Sequence, residues 1–248
     1  MNAATAMQWA ALVITAVGFV VRVPAAVRGR SRAMTVCLLL LTVAMALSLP
    51  VFYEPVDAFL GGGNVANLLL RFCLYVIFLI LGSRMSVAFD APRAGRLVVG
   101  PIGWWVFGVV GALTVLTFVL SDLPETRTGL VGYDYQFSVE LYATLGRLYP
   151  GYVAACVAAA AAATAARPGY PVLARVAAGL IALGLLKVVL FVLLRLTPVE
   201  LGDLNFYLPF CAVIAVTLGL MVIQGVHWRQ QRDRRNLLAS INAARPQT

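Results

Sequence analysis

The chain is poor in the side chains that do chemistry: its 248 residues include one histidine, one lysine and ten acidic groups, and charged residues make up only 12%. A typical soluble domain carries about 25% charged residues, so an ordinary water-exposed surface is excluded. The lone His227 excludes a histidine-based metal centre or nucleophile–base pair, because both need convergent partners. Its place beside Trp228 fits an anchor at a membrane interface. Cys37, Cys73, Cys156 and Cys211 are too scattered to hold zinc as close pairs, and each lies in an apolar stretch where a free thiol packs as a small hydrophobe. There is no HExxH, no GxSxG, no phosphate-binding loop and no pair of aspartates in facing apolar runs. We therefore expect no enzyme, no metal and no cofactor. Retinal is set aside too: Lys187 falls in the sixth apolar run and no embedded aspartate stands ready as a counter-ion.

What the chain has in abundance is long apolar runs, with hydrophobic residues at 62%. A bilayer core needs about 20 apolar residues per helix. Seven runs fit: Ala4–Val21, Met34–Tyr53, Asn64–Ser83, Pro101–Leu120, Val139–Ala166, Val172–Leu196 and Asn205–His227. They consume nearly the whole length. The expectation is an all-α polytopic membrane protein, with a bundle of seven transmembrane helices over residues 1–228 and a basic juxtamembrane tail over residues 229–248.

The formal charge of +9 is explained by position rather than by nucleic-acid binding. Arg22, Arg28, Arg30 and Arg32 follow the first run, Arg84, Arg93 and Arg96 the third, and Arg167 and Arg175 the fifth. Arg229, Arg232, Arg234, Arg235 and Arg245 fill the tail, whereas the alternate connections hold only Arg127 and Arg195. The positive-inside rule makes the Arg-rich side cytoplasmic, which places the N-terminus outside and the C-terminus inside; eighteen Arg to one Lys, with heavy Ala, Val and Gly use, suggests a GC-rich bacterial genome and so a bacterial plasma membrane. Acidic residues Glu54, Asp57, Asp122, Glu125, Asp134, Glu140, Glu200 and Asp203 gather on the other side. No Lys or Arg precedes Arg22, so the first run lacks the positive n-region of a signal peptide and is expected to remain as a span.

Local composition adds detail. Ala154–Ala166 is nearly all alanine, and small residues let helices approach closely in lipid, so span five is expected at the centre of the bundle. Pro150 and Gly151 are expected to interrupt and kink it. Gly100, Gly103, Gly108 and Gly111 suggest a second close crossing on span four. The longest outer connection, Ser121–Ser138, is read as a solvated loop or as a small lid. In the tail, Leu237, Leu238 and Ile241 share a helical face, which fits a helix resting on anionic lipid or meeting a membrane protein partner.

Arg71, Arg147 and Lys187 lie within spans. Each costs about 2.5–3.5 kcal/mol at a helix centre on insertion scales, so such groups turn to the bundle interior or a wet cavity. All three fall in the outer half, Lys187 about 13 Å from the outer surface. Asn64, Asn67, Arg71 and Tyr75 form one stripe on span three at 100° per residue. Glu140, Thr144, Arg147 and Gly151 share a face of span five, and Asn205, Tyr207 and Pro209 open span seven. Together these residues predict an outward-opening polar pocket lined by spans three, five, six and seven. Its ligand-binding residues would be Asn64, Asn67, Arg71, Tyr75, Glu140, Thr144, Arg147, Lys187 and Asn205. Three cations against Glu140 leave an excess of positive charge that a small anionic or zwitterionic ligand would compensate. The alternative is structural: Glu140, Asp57, Glu200 and Asp203 pair with the cations to hold the bundle, and Arg71 and Arg147 snorkel to headgroups.

The segment Gly63-Asn64-Val65-Ala66-Asn67-Leu68-Leu69, with Tyr142-Ala143 and Pro150–Tyr152, resembles an actinobacterial family of seven-helix integral membrane proteins over about residues 1–228. Its members are labelled transporters without an established substrate. The resemblance and the charge pattern together lead to the expectation of a small-solute transporter. A receptor or sensor subunit signalling through the basic tail, or a structural assembly subunit, remains the alternative.

Overall fold

The computed structural model describes residues 3–29, 32–133, 135–197 and 202–243, with side chains from 4 to 225. Expectations placed on Arg30, Asp134, Glu200 and Arg245 lie outside the described residues, as do those on the side chains of His227, Trp228 and the tail. The fold is all-α, 83% helical, with no strand among the described residues. In chain order the helices are α1 Ala3–Val27, α2 Arg32–Ala46, α3 Pro50–Phe59, α4 Val65–Ala88, α5 Pro92–Val99, α6 Pro101–Val119, α7 Phe137–Ala166, α8 Val172–Arg195 and α9 Leu204–Ala243. Proline occupies the first turn of α3, α5 and α6, where its missing N–H has no helical acceptor to lose.

Six helices are long and apolar enough to cross a membrane: α1, α4, α6, α7, α8 and the Leu204–Gly225 part of α9. The second expected span, Met34–Tyr53, is not one straight helix. It breaks after Ala46, and α3 leaves α2 at 98°. Pro50 is the physical reason, since a proline forces its predecessor out of the helical region, and Leu49 is extended at φ −102°, ψ 129°. Beyond the bend, α3 buries Tyr53 and Asp57 and exposes Val51, Phe52 and Phe59.

The helices form a closed ring in the order α1, α2, α4, α7, α8, α9 and back to α1, with α6 packed outside against α7 and α4. Contacts give their directions. Gln8 of α1 donates to the Ser48 carbonyl just past α2 at 3.2 Å, while Gly18 meets Leu38, so α1 and α2 run antiparallel. Gly18 also meets Thr217, and Gln224 donates to the Val21 carbonyl, so α9 runs parallel to α1. Likewise α4 and α7 are parallel, for Arg71 lies on Gly146 and Gly82 on Val153. Between α8 and α9, a Cβ at Gly184 would come within 2.8 Å of the Ala212 carbonyl oxygen, and one at Gly219 within 3.0 Å of that of Ala177. Only glycine permits that antiparallel approach.

The shared core supports the central position expected for α7. Half of its apolar window is buried against 22% for α6, and Ala154, Ala158 and Ala161 face the ring interior. Three details differ from expectation. First, α7 continues through Pro150 and Gly151 as one helix. Second, α6 is peripheral: Gly108 faces open space, and Gly111 meets only the Phe72 ring at 3.6 Å. Third, Arg22 is no loop residue; α1 runs on to Val27 and leaves Arg22 only 8% exposed, close to Cys37.

Candidate functional site

The end of the bundle that carries loop 121–136 is organised around the start of α4. Asp57, wholly buried, reaches back from α3 and caps that helix. Its Oδ1 accepts from the Ala66 N–H at 2.9 Å and its Oδ2 from the Asn64 N–H at 3.0 Å. A carboxylate at this position satisfies orphan donors and complements the helix dipole. Oδ2 also accepts from the Thr126 hydroxyl at 2.6 Å, which ties the loop to the same carboxylate.

Asn64 has left-handed backbone at φ 64° and is the capping residue of α4, so it does not belong to the helical stripe. Its Oδ1 accepts from the Tyr53 hydroxyl at 3.0 Å and the Arg127 N–H at 2.8 Å, and its Nδ2 donates to the Glu125 carbonyl at 2.8 Å. That side chain is committed to holding the loop. Inside the loop, Tyr133 donates to the Glu125 carbonyl, and its hydroxyl accepts from the Glu125 N–H at 3.0 Å. Leu130 and Tyr133 plug down onto Val139 and Tyr142 with Leu68 and Phe118 around them. The exposed Arg127 pairs with Glu125 at 2.8 Å, a bond that keeps its guanidinium more firmly protonated than usual. The described residues of the 121–136 loop are therefore a docked lid.

Beneath the lid, Tyr142 donates to Asn67 Oδ1 at 2.9 Å and offers its ring to Arg71, whose guanidinium carbon lies 5.4 Å from the centroid. Gly146, one turn along α7, makes room for that guanidinium: a Cβ there would come within 2.8 Å of Nε and Cζ. Arg71 Nε is buried without a hydrogen-bond partner, and Arg71 makes no ion pair among the described residues. Pro150 has no N–H, so the Gly146 carbonyl cannot receive the bond that the residue four positions on normally donates. One turn below, the Tyr75 hydroxyl donates to the Leu145 carbonyl at 3.1 Å and is hydrogen-bonded to the Thr114 hydroxyl at 2.8 Å.

The structure therefore brings together Asn67, Arg71 and Tyr75 at the α4–α7 seam, with Asn64 above them holding the loop. The other expected ligand-binding residues lie elsewhere. Glu140 is exposed on the first turn of α7, and Thr144 is half-buried. Arg147, 100° round the helix from Gly146, turns to α8 and lies 5.9 Å from the Phe191 ring. Lys187 on α8 and Asn205 in the first turn of α9 are half-buried, on helices that adjoin α7 and α1 in the ring rather than α4. The pocket expected across four spans reduces to a two-helix seam under a lid.

Sequence reasoning passes over Tyr53, Thr126 and Gly146, names Tyr142 only for a resemblance, and gives Asp57 to ion pairs rather than to the helix cap it makes. Asp57 had a legible signal, as the acid that precedes a Gly-Gly-Gly-Asn turn into a helix. Deeper in the same seam, Tyr149 is 1% exposed and its hydroxyl has no partner among the rings of Tyr75, Phe107 and Tyr152. Among the described residues, no three His, Cys, Asp or Glu side chains come close enough to hold a metal.

Apolar helices of this length and number define a multi-pass integral membrane protein. Comparison with known proteins finds no matching family model, no matching curated protein and no matching solved structure.

Proposed function

We propose that the chain crosses a bacterial plasma membrane seven times, with its N-terminus outside, and transports a small anionic or zwitterionic solute without acting as an enzyme. The alternation in direction of α1, α2, α4, α6, α7, α8 and α9 supports the crossing number. The charge distribution supports the orientation: Glu54, Asp57, Asp122, Glu125, Glu140 and Asp203 gather at the lid end, while Arg28, Arg84, Arg93, Arg96, Arg167 and Arg175 belong to the far end.

One observation carries the solute class. Arg71 is a cation in the apolar part of the bundle whose Nε is buried and unpartnered, with no carboxylate in ion-pair reach among the described residues. A buried donor left unsatisfied costs about 1–3 kcal/mol, more for a charged group. A carboxylate or phosphate oxygen at Nε recovers that cost through a charge-assisted bond. Asn67 and Tyr142 orient the ligand from above, and the lid is the outer gate. Uptake by proteoliposomes of acetate, glutamate, glycine and phosphate tests the reading. Wild-type protein is expected to accumulate at least one of them, and Arg71→Gln to lose that uptake. No uptake of any, or uptake unchanged in the variant, would reject it.

A second reading is a sensor. Below Arg71 the α4–α7 seam is filled by Tyr75, Tyr149 and Val153, each at most 1% exposed, and α9 runs unbroken to Ala243. A ligand held from outside and reported through that helix predicts a thermal shift with the same solutes and no uptake.

A further inference from the structure

We propose that the corner formed by the end of α4, helix α5 and the start of α6 binds the headgroup of an acidic phospholipid. Arg84, on the last turns of α4, and Arg93 and Arg96, three positions apart on α5, are all exposed. None of the three makes a hydrogen bond or ion pair with a described residue. The neighbouring acid is Asp90 in the intervening turn, which leaves two positive charges in excess.

The corner is stiff. Ala94 and Val98 bury the opposite face of α5, the Ala91 N–H donates to the Ser86 carbonyl at 2.8 Å, and Tyr152 of α7 donates its hydroxyl to the Leu97 carbonyl at 2.7 Å. A single residue, Gly100, joins α5 to α6. The guanidinium groups are thus carried on a fixed ledge rather than on a loose loop.

Apolar surface adjoins the ledge: Leu97 is 39% exposed, Trp104 54% and Trp105 75%. A soluble phosphate has no use for such an apron. A phospholipid needs both parts, a phosphate to take bidentate bonds from arginine and acyl chains to cover the aromatic and aliphatic side chains. The charge and the apolar apron together select an acidic lipid as the occupant. This inference does not depend on what Arg71 binds.

The test uses the full chain in a mild detergent, titrated with phosphatidylglycerol or phosphatidylcholine and read by native mass spectrometry and thermal stability. Phosphatidylglycerol is expected to be retained and to raise the melting temperature, with phosphatidylcholine much weaker. Each arginine contributes about fivefold near a membrane surface, so Arg84→Gln/Arg93→Gln/Arg96→Gln should lose about 100-fold in that preference. The single Arg93→Gln, at an exposed position, guards against a misfolded triple variant and should lose about fivefold. Arg28→Gln/Arg32→Gln should retain wild-type preference. Equal retention of both lipids, an unchanged preference in the triple and single variants, or displacement by millimolar inorganic phosphate would overturn the proposal. Uptake through Arg71 in neutral liposomes would be unaffected by any of these outcomes.

Discussion

Thr126 donates to Asp57 at 2.6 Å across 69 residues of sequence, and removing that donor isolates the fastening of the lid. Thr126→Val keeps the shape and deletes one hydroxyl. The carboxylate is not orphaned, because the Asn64 and Ala66 N–H groups still donate to it. The lid also keeps its two bonds to Asn64, through the Glu125 carbonyl and the Arg127 N–H. A hydrogen bond to a charged group contributes about 1.5–3 kcal/mol; Thr126 itself is solvent-exposed, so about 1–2 kcal/mol is the appropriate share. Local opening should then become about 5–30 times more populated, with little change in global unfolding. The Arg127 side chain is 47% exposed and makes residues 127–128 a tryptic site that needs the lid to loosen. When opening is fast relative to cleavage, the cutting rate follows the open population. Wild-type and variant protein in proteoliposomes, digested with external trypsin and followed by mass spectrometry at this bond, give the ratio directly. Cleavage within twofold of wild type would refute the docked lid, and so would a fall in global melting temperature that accounts for all of the change.

Two further expectations concern packing. Gly146→Ala presses on the movable end of Arg71, whereas Gly184→Ala and Gly219→Ala press on the Ala212 and Ala177 carbonyls across α8–α9. The first should cost under about 1 kcal/mol yet weaken solute response, and each of the others about 1–3 kcal/mol, by thermal denaturation in detergent. Tyr149→Phe removes a buried hydroxyl that has no partner among the described residues. It should be neutral or stabilising by about 1 kcal/mol, and a loss of that size would show that the hydroxyl is satisfied.

The spans were readable because lipid imposes a length and a polarity that six helices meet without ambiguity. The alanines of α7 spoke for close packing for the same reason. Span two reads as one straight run because hydropathy continues through Ala46–Tyr53 while the backbone bends, and only Pro50 marks the bend. Arg22 reads as the end of the first span because a charge usually closes an apolar run, yet α1 extends five residues beyond it to Val27. Within the site, Asn67, Arg71 and Tyr75 were legible at four-residue spacing on α4. Arg147 turns to Phe191 of α8 rather than to Arg71, since depth in a membrane says nothing about rotation around a helix. The lid contacts join residues 57 and 64 to 125–127, and no local pattern records a pairing over such a distance.

Between α3 and the cap of α4, Gly61, Gly62 and Gly63 have φ values of 99°, 77° and 70°, and a Cβ on any of them would meet nothing within 4 Å. The objection to a side chain there is thus one of handedness alone, since left-handed backbone costs an L-residue about 1–2 kcal/mol. Space is plentiful; chirality is what the elbow refuses. A mirror-image alanine at Gly62 would sit at ease where its natural counterpart strains, and by stiffening the unfolded chain it would favour the bent form that carries Asp57 to its helix.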